Sequence, residues 1–251
     1  MMRIDLNCDM GEIPEAIADG TQEALMPSLT SVNIACGGHA GDEATMKATI
    51  EQALRWKVAI GAHPGYPDRA NFGRLELDLP LETIADSVFG QVRSLAAIAG
   101  STPITHVKPH GALYNQAAKN AQLATAIAKG VARWSREVVL VGLAGSLMLD
   151  VFRDAGFSIA AEAFADRRYE HDGTLRSRKF ADALIRNPEE AARQALSIVQ
   201  QKKLIASDGS EVKVDAETLC IHGDTPGAAQ IAVTVAQTLR QAGVVLSSLA
   251  G

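Results

Sequence analysis

The chain has only three cysteines in 251 residues, Cys8, Cys36 and Cys220. An odd count with no paired spacing argues against a disulfide framework. No CxxC pair occurs, which removes the usual structural zinc knuckle. Each cysteine lies in or at the end of an apolar run, which predicts small buried hydrophobes. Cys36 and Cys220 have His39 and His222 nearby in sequence, the arrangement a thiolate nucleophile would need. Lys and Arg form no basic stripe and the net charge is -5, so nucleic acid is a poor candidate partner. No apolar run reaches the length that a membrane-spanning helix requires. The first residues run straight into a strand pattern, without the apolar core of a signal peptide, so the cytoplasm is the expected location. Neither a GxxxxGK[ST] loop nor a Gly-rich dinucleotide turn after the first strand is present.

What is present is an ordinary globular balance, with 47% hydrophobic and 21% charged residues. Seven short β-type runs stand out: Arg3 to Cys8, Ser31 to Cys36, Val58 to His63, Thr105 to Lys108, Val138 to Leu143, Ser158 to Phe164 and Thr218 to His222. Helical stretches alternate with them: Asp42 to Lys57, Leu81 to Ala99, Ala121 to Trp134, Ser146 to Asp154, Pro188 to Gln201 and Gly227 to Gln241. In the first of these, Met46, Ile50 and Leu54 recur at four-residue steps. Asn187-Pro188-Glu189-Glu190 reads as an N-cap, an N1 proline and a first turn of acids, and Gly100, Gly156 and Gly243 fall where helices end. This alternation predicts a parallel sheet flanked by helices, α/β in class. Without a dinucleotide turn, a single seven-stranded (β/α) barrel spanning residues 1–251 is favoured over an open sheet. Arg167 to Asp182 is charged and polar, and is the expected long loop over a site.

The polar residues alternate near the strand ends. Asp5, Asn7 and Asp9 do so on the first strand, and His106, Lys108 and His110 on the fourth. Glu162, Phe164 and Asp166 follow on the sixth, and His222 and Asp224 on the seventh. Period two places each set on one face of its strand, and a polar face turned toward the outer helices would be costly. The sets are therefore expected to point into the barrel, whose C-terminal rim carries catalysis in enzymes of this architecture. His39 and His63 end the second and third strands, while His171 lies in the polar loop and reads as solvated. Asp9, His39 and His63 form a candidate divalent-metal site. Lys108 has two readings of equal weight: an internal ion pair with Asp5, Asp9 or Glu162, or a cation for an anionic substrate.

Several segments together resemble a known family. They are Asp5-Leu6-Asn7-Cys8-Asp9-Met10-Gly11-Glu12, the stretch Asn33 to Asp42 with its Cys36-Gly37-Gly38-His39 centre, and Gly61-Ala62-His63-Pro64-Gly65-Tyr66-Pro67-Asp68 followed by Phe72-Gly73-Arg74. Val107-Lys108-Pro109-His110-Gly111-Ala112-Leu113-Tyr114-Asn115, Glu162 to Arg167 and Cys220-Ile221-His222-Gly223-Asp224 complete the set. The pattern resembles the LamB/YcsF family, the lactam-utilisation proteins that serve as the A component of 5-oxoprolinase. The resemblance implies a barrel similar to the polysaccharide deacetylases and ATP-dependent opening of 5-oxoproline to glutamate. It also implies two further 5-oxoprolinase subunits, B and C. Two departures bear on substrate detail: Leu75 stands where the family usually has a second arginine, and Lys179-Phe180-Ala181 where a Pro-Gly-Ala turn is common.

The resemblance and the residues together give candidate roles. Asp9 or Glu12 would act as base, Lys108 and Arg74 would bind anionic groups, and His110 or His222 would protonate the leaving nitrogen. The candidate catalytic set is thus Asp9, Glu12, Lys108, His110 and His222. The candidate substrate-binding set is Asn7, Arg74, Glu162, Asp166, Arg167 and Asp224. ATP is the expected co-substrate, with Mg or Zn as the candidate metal. Two rival readings stand beside this one: a metal-dependent amide or carbohydrate deacetylase, and a non-catalytic scaffold or binding subunit.

Overall fold

The computed structural model describes residues 2–225 and 227–249. Its strands are β1 Arg3–Met10, β2 Ser31–Ala35, β3 Ala59–His63, β4 Ile104–Val107, β5 Val139–Leu143, β6 Ser158–Phe164, β7 Lys203–Ile205, β8 Glu211–Lys213, β9 Thr218–Ile221 and β10 Val245–Leu246. Its α-helices are α1 Pro14–Ala18, α2 Glu43–Trp56, α3 Leu81–Ala99, α4 Gly111–Ala117, α5 Ala121–Ala132, α6 Leu147–Asp154, α7 Pro188–Gln201 and α8 Ala228–Gln241. Strands β1 to β6 and β9 pair in parallel, each with the next, and β1 also pairs with β9, which closes the barrel. Residues 7–10 of β1 face β2 while residues 5–8 face β9, the stagger that closure requires. Among the described residues, no helix is long and apolar enough to cross a membrane.

Alternation on β1 shows why the barrel has a polar interior. Leu6, Cys8 and Met10 belong to the apolar core. Asp5 and Asn7, one step out of phase, are buried, and they and the partly exposed Asp9 at the rim bond to other strands' polar side chains. The helices close the outer layer. Helix α2 begins with a capping box, in which the Asp42 carboxylate accepts from Thr45 N and the Thr45 hydroxyl accepts from Asp42 N. Asn187 caps α7 by accepting from Glu190 N, with Pro188 at the first helical position. Met46 and Ile50 are buried, but Leu54 is 53% exposed. Steps of four overshoot a 3.6-residue turn by about 40° each, so the second step leaves the buried face and Ala53 takes the place.

All three cysteines are free and buried. The Cys36 sulfur lies near Gln91, and burial pushes its thiol up to about 12. Cys220 lies beside Lys108 at 3.2 Å, and burial pushes it up as well. Both therefore match the small buried hydrophobes that the apolar runs predict. Residues 167–185 form no helix. They are tied down by the isolated bridges Arg167–Leu184 and Tyr169–Leu175, and by the Tyr169 hydroxyl, which accepts from Phe164 N beneath the loop. Helix α4 and the antiparallel β7–β8 hairpin are not signalled by the sequence pattern. Segments this short carry too few turns or alternations to register a period.

Candidate active site at the C-terminal rim

The barrel interior holds a continuous hydrogen-bonded network. Asn7 Nδ2 donates to Glu162 Oε1 at 3.1 Å, and Asn33 Nδ2 donates to both Asn7 Oδ1 and Asp9 Oδ1 at 2.8 Å. Asp5 sits below, taking the hydroxyls of Ser31, Thr30 and Thr218. Lys108, from the end of β4, crosses the network with Asp9 Oδ1 and Glu162 Oε1 each at 2.9 Å. Of the three acids considered for it, Lys108 therefore pairs with Asp9 and Glu162 and not with Asp5. Burial alone would lower this lysine, but Asp9, Cys220 and Glu162 raise it well above the ordinary value, so it is charged. Burial likewise pushes Asp9 up, but His63 and Lys108 beside it outweigh that and hold the carboxylate well below its usual range.

At the rim, four side chains from four segments converge. Donor atoms of Glu12, His39, His63 and His110 lie within 4.8 Å of one another. Glu12 Oε1 is 2.9 Å from His39 Nε2, 3.3 Å from His110 Nδ1 and 3.9 Å from His63 Nε2. His39 and His110 stack with ring centroids 3.5 Å apart. Carbonyls fix two of the tautomers. His63 Nδ1 faces Lys108 O at 2.7 Å and His110 Nε2 faces Phe72 O at 2.9 Å, and a carbonyl can only accept. The proton therefore sits on those nitrogens. His63 Nε2 and His110 Nδ1 then face each other across 3.0 Å, with a Glu12 oxygen alongside. Three potential ligand atoms this close form a set that could hold a cation between them.

The donor set fits a divalent ion. A tetrahedral ion with bonds of about 2.1 Å spaces its ligands by roughly 3.4 Å, and the distances here bracket that value. Back-bonding of ligating histidines to carbonyls is the usual outer support of such a site. Burial lowers His39 to about 2 and, with His39 and His63 beside it, lowers His110 too, so both are the neutral imidazoles a metal needs. Asp9, grouped with His39 and His63 in the sequence analysis, stands beside this cluster at 3.3 Å from His63 Nε2. Glu12 and His110 complete the four-residue group. Glycine makes the packing feasible: a Cβ on Gly65 would lie 2.6 Å from His39 Nδ1.

Across the opening, His222 follows β9. Its Nδ1 lies 2.9 Å from Asp166 Oδ1, and its backbone N–H donates to Asp166 Oδ2 at 2.9 Å. The ring stacks on Phe164 with centroids 5.4 Å apart. Asp166 is fully buried. Burial raises it, but the His222 charge and hydrogen bonds pull it below its ordinary value. The pair fixes the imidazole and leaves Nε2 for the cavity side.

A cavity of about 710 Å³ joins these groups. Asp9, Glu12, His63, Lys108, His110 and His222 line it, together with Arg74, Arg167 and Asp224. Asn7, Glu162, Asp166 and His39 are not among its lining residues. They lie behind the wall, where the first two hold Lys108, Asp166 holds His222 and His39 pairs with Glu12. Tyr114, Arg176 and Arg178 also line the cavity and are absent from the candidate sets drawn from sequence. Tyr114 falls within a quoted motif and the two arginines within the loop expected to cover the site, so position is the available signal. His171 is exposed.

Comparison with known proteins agrees with this geometry. The family model described as LamB/YcsF family matches residues 4–251. A protein of Chloroflexus aggregans, named as the A component of 5-oxoprolinase, is 49% identical over 246 residues, covering 97% of this chain and 98% of that one. The crystal structure of a lactam utilization protein from Thermus thermophilus superposes with a TM-score of 0.91 at 40% identity, covering 99% of this chain and 100% of that one. A family 4 carbohydrate esterase from Streptomyces lividans superposes with a TM-score of 0.54 at 12% identity, covering 99% of this chain and 93% of that one, a likeness of fold alone. With a whole-chain family match and near-half identity to full-length relatives, the chain belongs to the LamB/YcsF family.

Proposed function

We propose that this chain is the lactam-opening component of an ATP-dependent 5-oxoprolinase, working in the cytoplasm with subunits B and C and converting 5-oxoproline to L-glutamate. The observation that carries this reading is one cavity with a Glu12–Asp9–Lys108 wall on one side and an Asp166-oriented His222 on the other. The near-half identity to proteins named as the A component of 5-oxoprolinase supports the substrate assignment.

A five-membered lactam is a stable amide, and transfer of the terminal phosphoryl group of ATP to its oxygen would make the ring carbon a better electrophile. Water then adds to that carbon and the C–N bond breaks with a proton delivered to nitrogen, which frees the amine and leaves an acyl phosphate. A second water hydrolyses that acyl phosphate to the carboxylate and phosphate, with ADP the other product. While it is not ligating an ion, Glu12 suits the base role: burial raises its carboxyl above the ordinary value, which favours proton uptake from water. Asp9 stays ionised and holds Lys108 in place. Lys108, charged and facing the cavity, stabilises negative charge developing on oxygen. His222, held through Nδ1, presents Nε2 to protonate the departing nitrogen. Glu12, His39, His63 and His110 would hold a divalent ion, Zn by donor type, and such an ion supplies Lewis-acid polarisation when bound.

The first test is glutamate release from 5-oxoproline by the chain with its two partner subunits, with and without ATP. Strictly ATP-dependent glutamate is expected. No glutamate with folded, assembled partners would overturn the reading. It would turn attention to a metal-dependent deacetylase, the second reading, which the Glu12–His39–His63–His110 group favours. The metal is tested separately. After chelation, Co²⁺ titration of the chain should give the visible absorption of a tetrahedral site at about one equivalent. Glu12→Gln with His63→Ala should abolish that band, and an unchanged band would remove the assignment.

A further inference from the structure

Arg167 is 6% exposed, and its guanidinium donates only to main-chain carbonyls, Arg176 O at 2.7 Å and Ala183 O at 3.4 Å. Among the described residues, no carboxylate forms an ion pair with it. Burial and the adjacent Arg178 lower it to about 10, so it remains a cation at neutral pH. Asp166 nearby offsets part of this, but no carboxylate reaches ion-pair distance, and a buried cation with no direct partner is costly and favours an incoming anion. Beside it stands an unusual arrangement. Arg74 Nη2, from the loop after β3, and Arg178 Nη1, from the loop after β6, converge on one oxygen, Asp224 Oδ2, at 2.6 and 3.1 Å. All four residues line the cavity. Two guanidiniums thus share a single carboxylate supplied by the chain itself, and the third, on Arg167, lines the same cavity without an ion pair.

We propose that Arg74, Arg167 and Arg178 form a subsite for the free carboxylate of a small cyclic amide, and that Asp224 is an internal carboxylate which the substrate displaces from Arg74 and Arg178. The proposal rests on the lactam reading above and deepens it by assigning what reads the substrate's charge. Guanidinium forks match a carboxylate in two-point geometry, which an ammonium does not. The Arg74 and Arg178 side chains are 43% and 28% exposed, so their pairing with Asp224 is partly hydrated and cheap to exchange. Arg167 has no such partner to give up, so the incoming anion gains a new ion pair there. The two arginines on Asp224 belong to separate loops, so the exchange would also move the rim of the cavity. Release of product restores the internal pair.

The experiment is NMR titration of the isolated, intact chain with three probes: 5-oxoproline, 2-pyrrolidinone (the same ring without the carboxylate) and acetate. The expected result is that 5-oxoproline binds about tenfold or more tightly than 2-pyrrolidinone. Arg178→Gln removes that difference, and Arg178→Lys recovers part of it. Asp224→Asn, which abolishes the internal competitor, tightens 5-oxoproline and acetate by about threefold or more and leaves 2-pyrrolidinone unchanged. Equal binding of the two lactams overturns the subsite. Weakening of 5-oxoproline by Asp224→Asn overturns the exchange, because Asp224 would then serve only to hold the arginines. If neither lactam binds while acetate binds and is lost in Arg178→Gln, the subsite stands and the lactam reading fails. If no probe binds, the subsite itself is refuted.

Discussion

Replacing Lys108 by Met keeps the length of the side chain and removes its charge, and the structure sets the size of the effect. Lys108 is 2% exposed and sits 2.9 Å from both Asp9 Oδ1 and Glu162 Oε1. Glu162 is fully buried, so it would lose its counter-charge with no water to replace it. Breaking a buried pair on one side costs about 3–5 kcal/mol, a large share of the roughly 5–15 kcal/mol that holds a domain folded. For a chain of this size that is a fall in melting temperature of about 10 °C. Glu162→Gln alone should cost less, about 1–3 kcal/mol, because Lys108 keeps Asp9. The double variant, with the Glu162 charge gone as well, should be more stable than the sum of the single losses by at least about 1 kcal/mol. Urea unfolding of the four proteins, with a shared m-value, measures the cycle. A Lys108→Met loss below about 1 kcal/mol, or a coupling near zero, would refute the claim that buried Glu162 depends on Lys108 for its counter-charge.

Three further outcomes are expected. Asp166→Asn, which presents an amide to His222 Nδ1, should lower kcat by about 10²-fold or more with little change in KM and an altered pH–rate profile; an unchanged profile would remove His222 from the proton path. Gly61→Ala would drive a methyl group into the His106 ring and should cost about 1–3 kcal/mol by denaturation; a neutral result would mean that β3 and β4 can move apart there. Burial, with Lys108 and His63 nearby, lowers His106 to about 3, against about 6.5 in an unfolded chain. The unfolded state then takes up this proton first, so stability falls as pH drops below about 6.5 and keeps falling to about 3, by about 1.4 kcal/mol per pH unit from this group. His106→Gln should remove that increment from the slope between about pH 6 and 4, and equal slopes in the two proteins would contradict it.

The strands and longer helices are readable because each carries its own period. On β1, Asp5-Leu6-Asn7-Cys8-Asp9-Met10 alternates through its length, and one register suffices to send one set into the barrel and the other to the helices. Helix α7 announces both its cap and its first turn in Asn187-Pro188-Glu189-Glu190. Glycines and prolines at the rim mark where loops begin. The short strands of the β7–β8 hairpin carry no such signal, although Asp208-Gly209 stands at its turn. Leu54 shows the limit of counting by fours, since a period only slightly wrong rotates a residue out of the core within two turns.

Which residues meet is a different matter. Membership of the rim follows from strand ends alone, so His39, His63, His110 and His222 are all foreseeable as neighbours of one opening. The partition into a Glu12–His39–His63–His110 group and a separate Asp166–His222 pair is not, because it depends on barrel tilt and loop direction. Proton positions on His63 and His110 are decided by Lys108 O and Phe72 O, main-chain atoms far away in sequence. Arg178 and Asp224, 46 residues apart, share a contact only because the loops after β6 and β9 fold over the same mouth. Periodicity and local caps are one-dimensional properties, and the sequence alone determined them. Pairing, burial and charge state are set by distances across the barrel, and only the tertiary structure decided those.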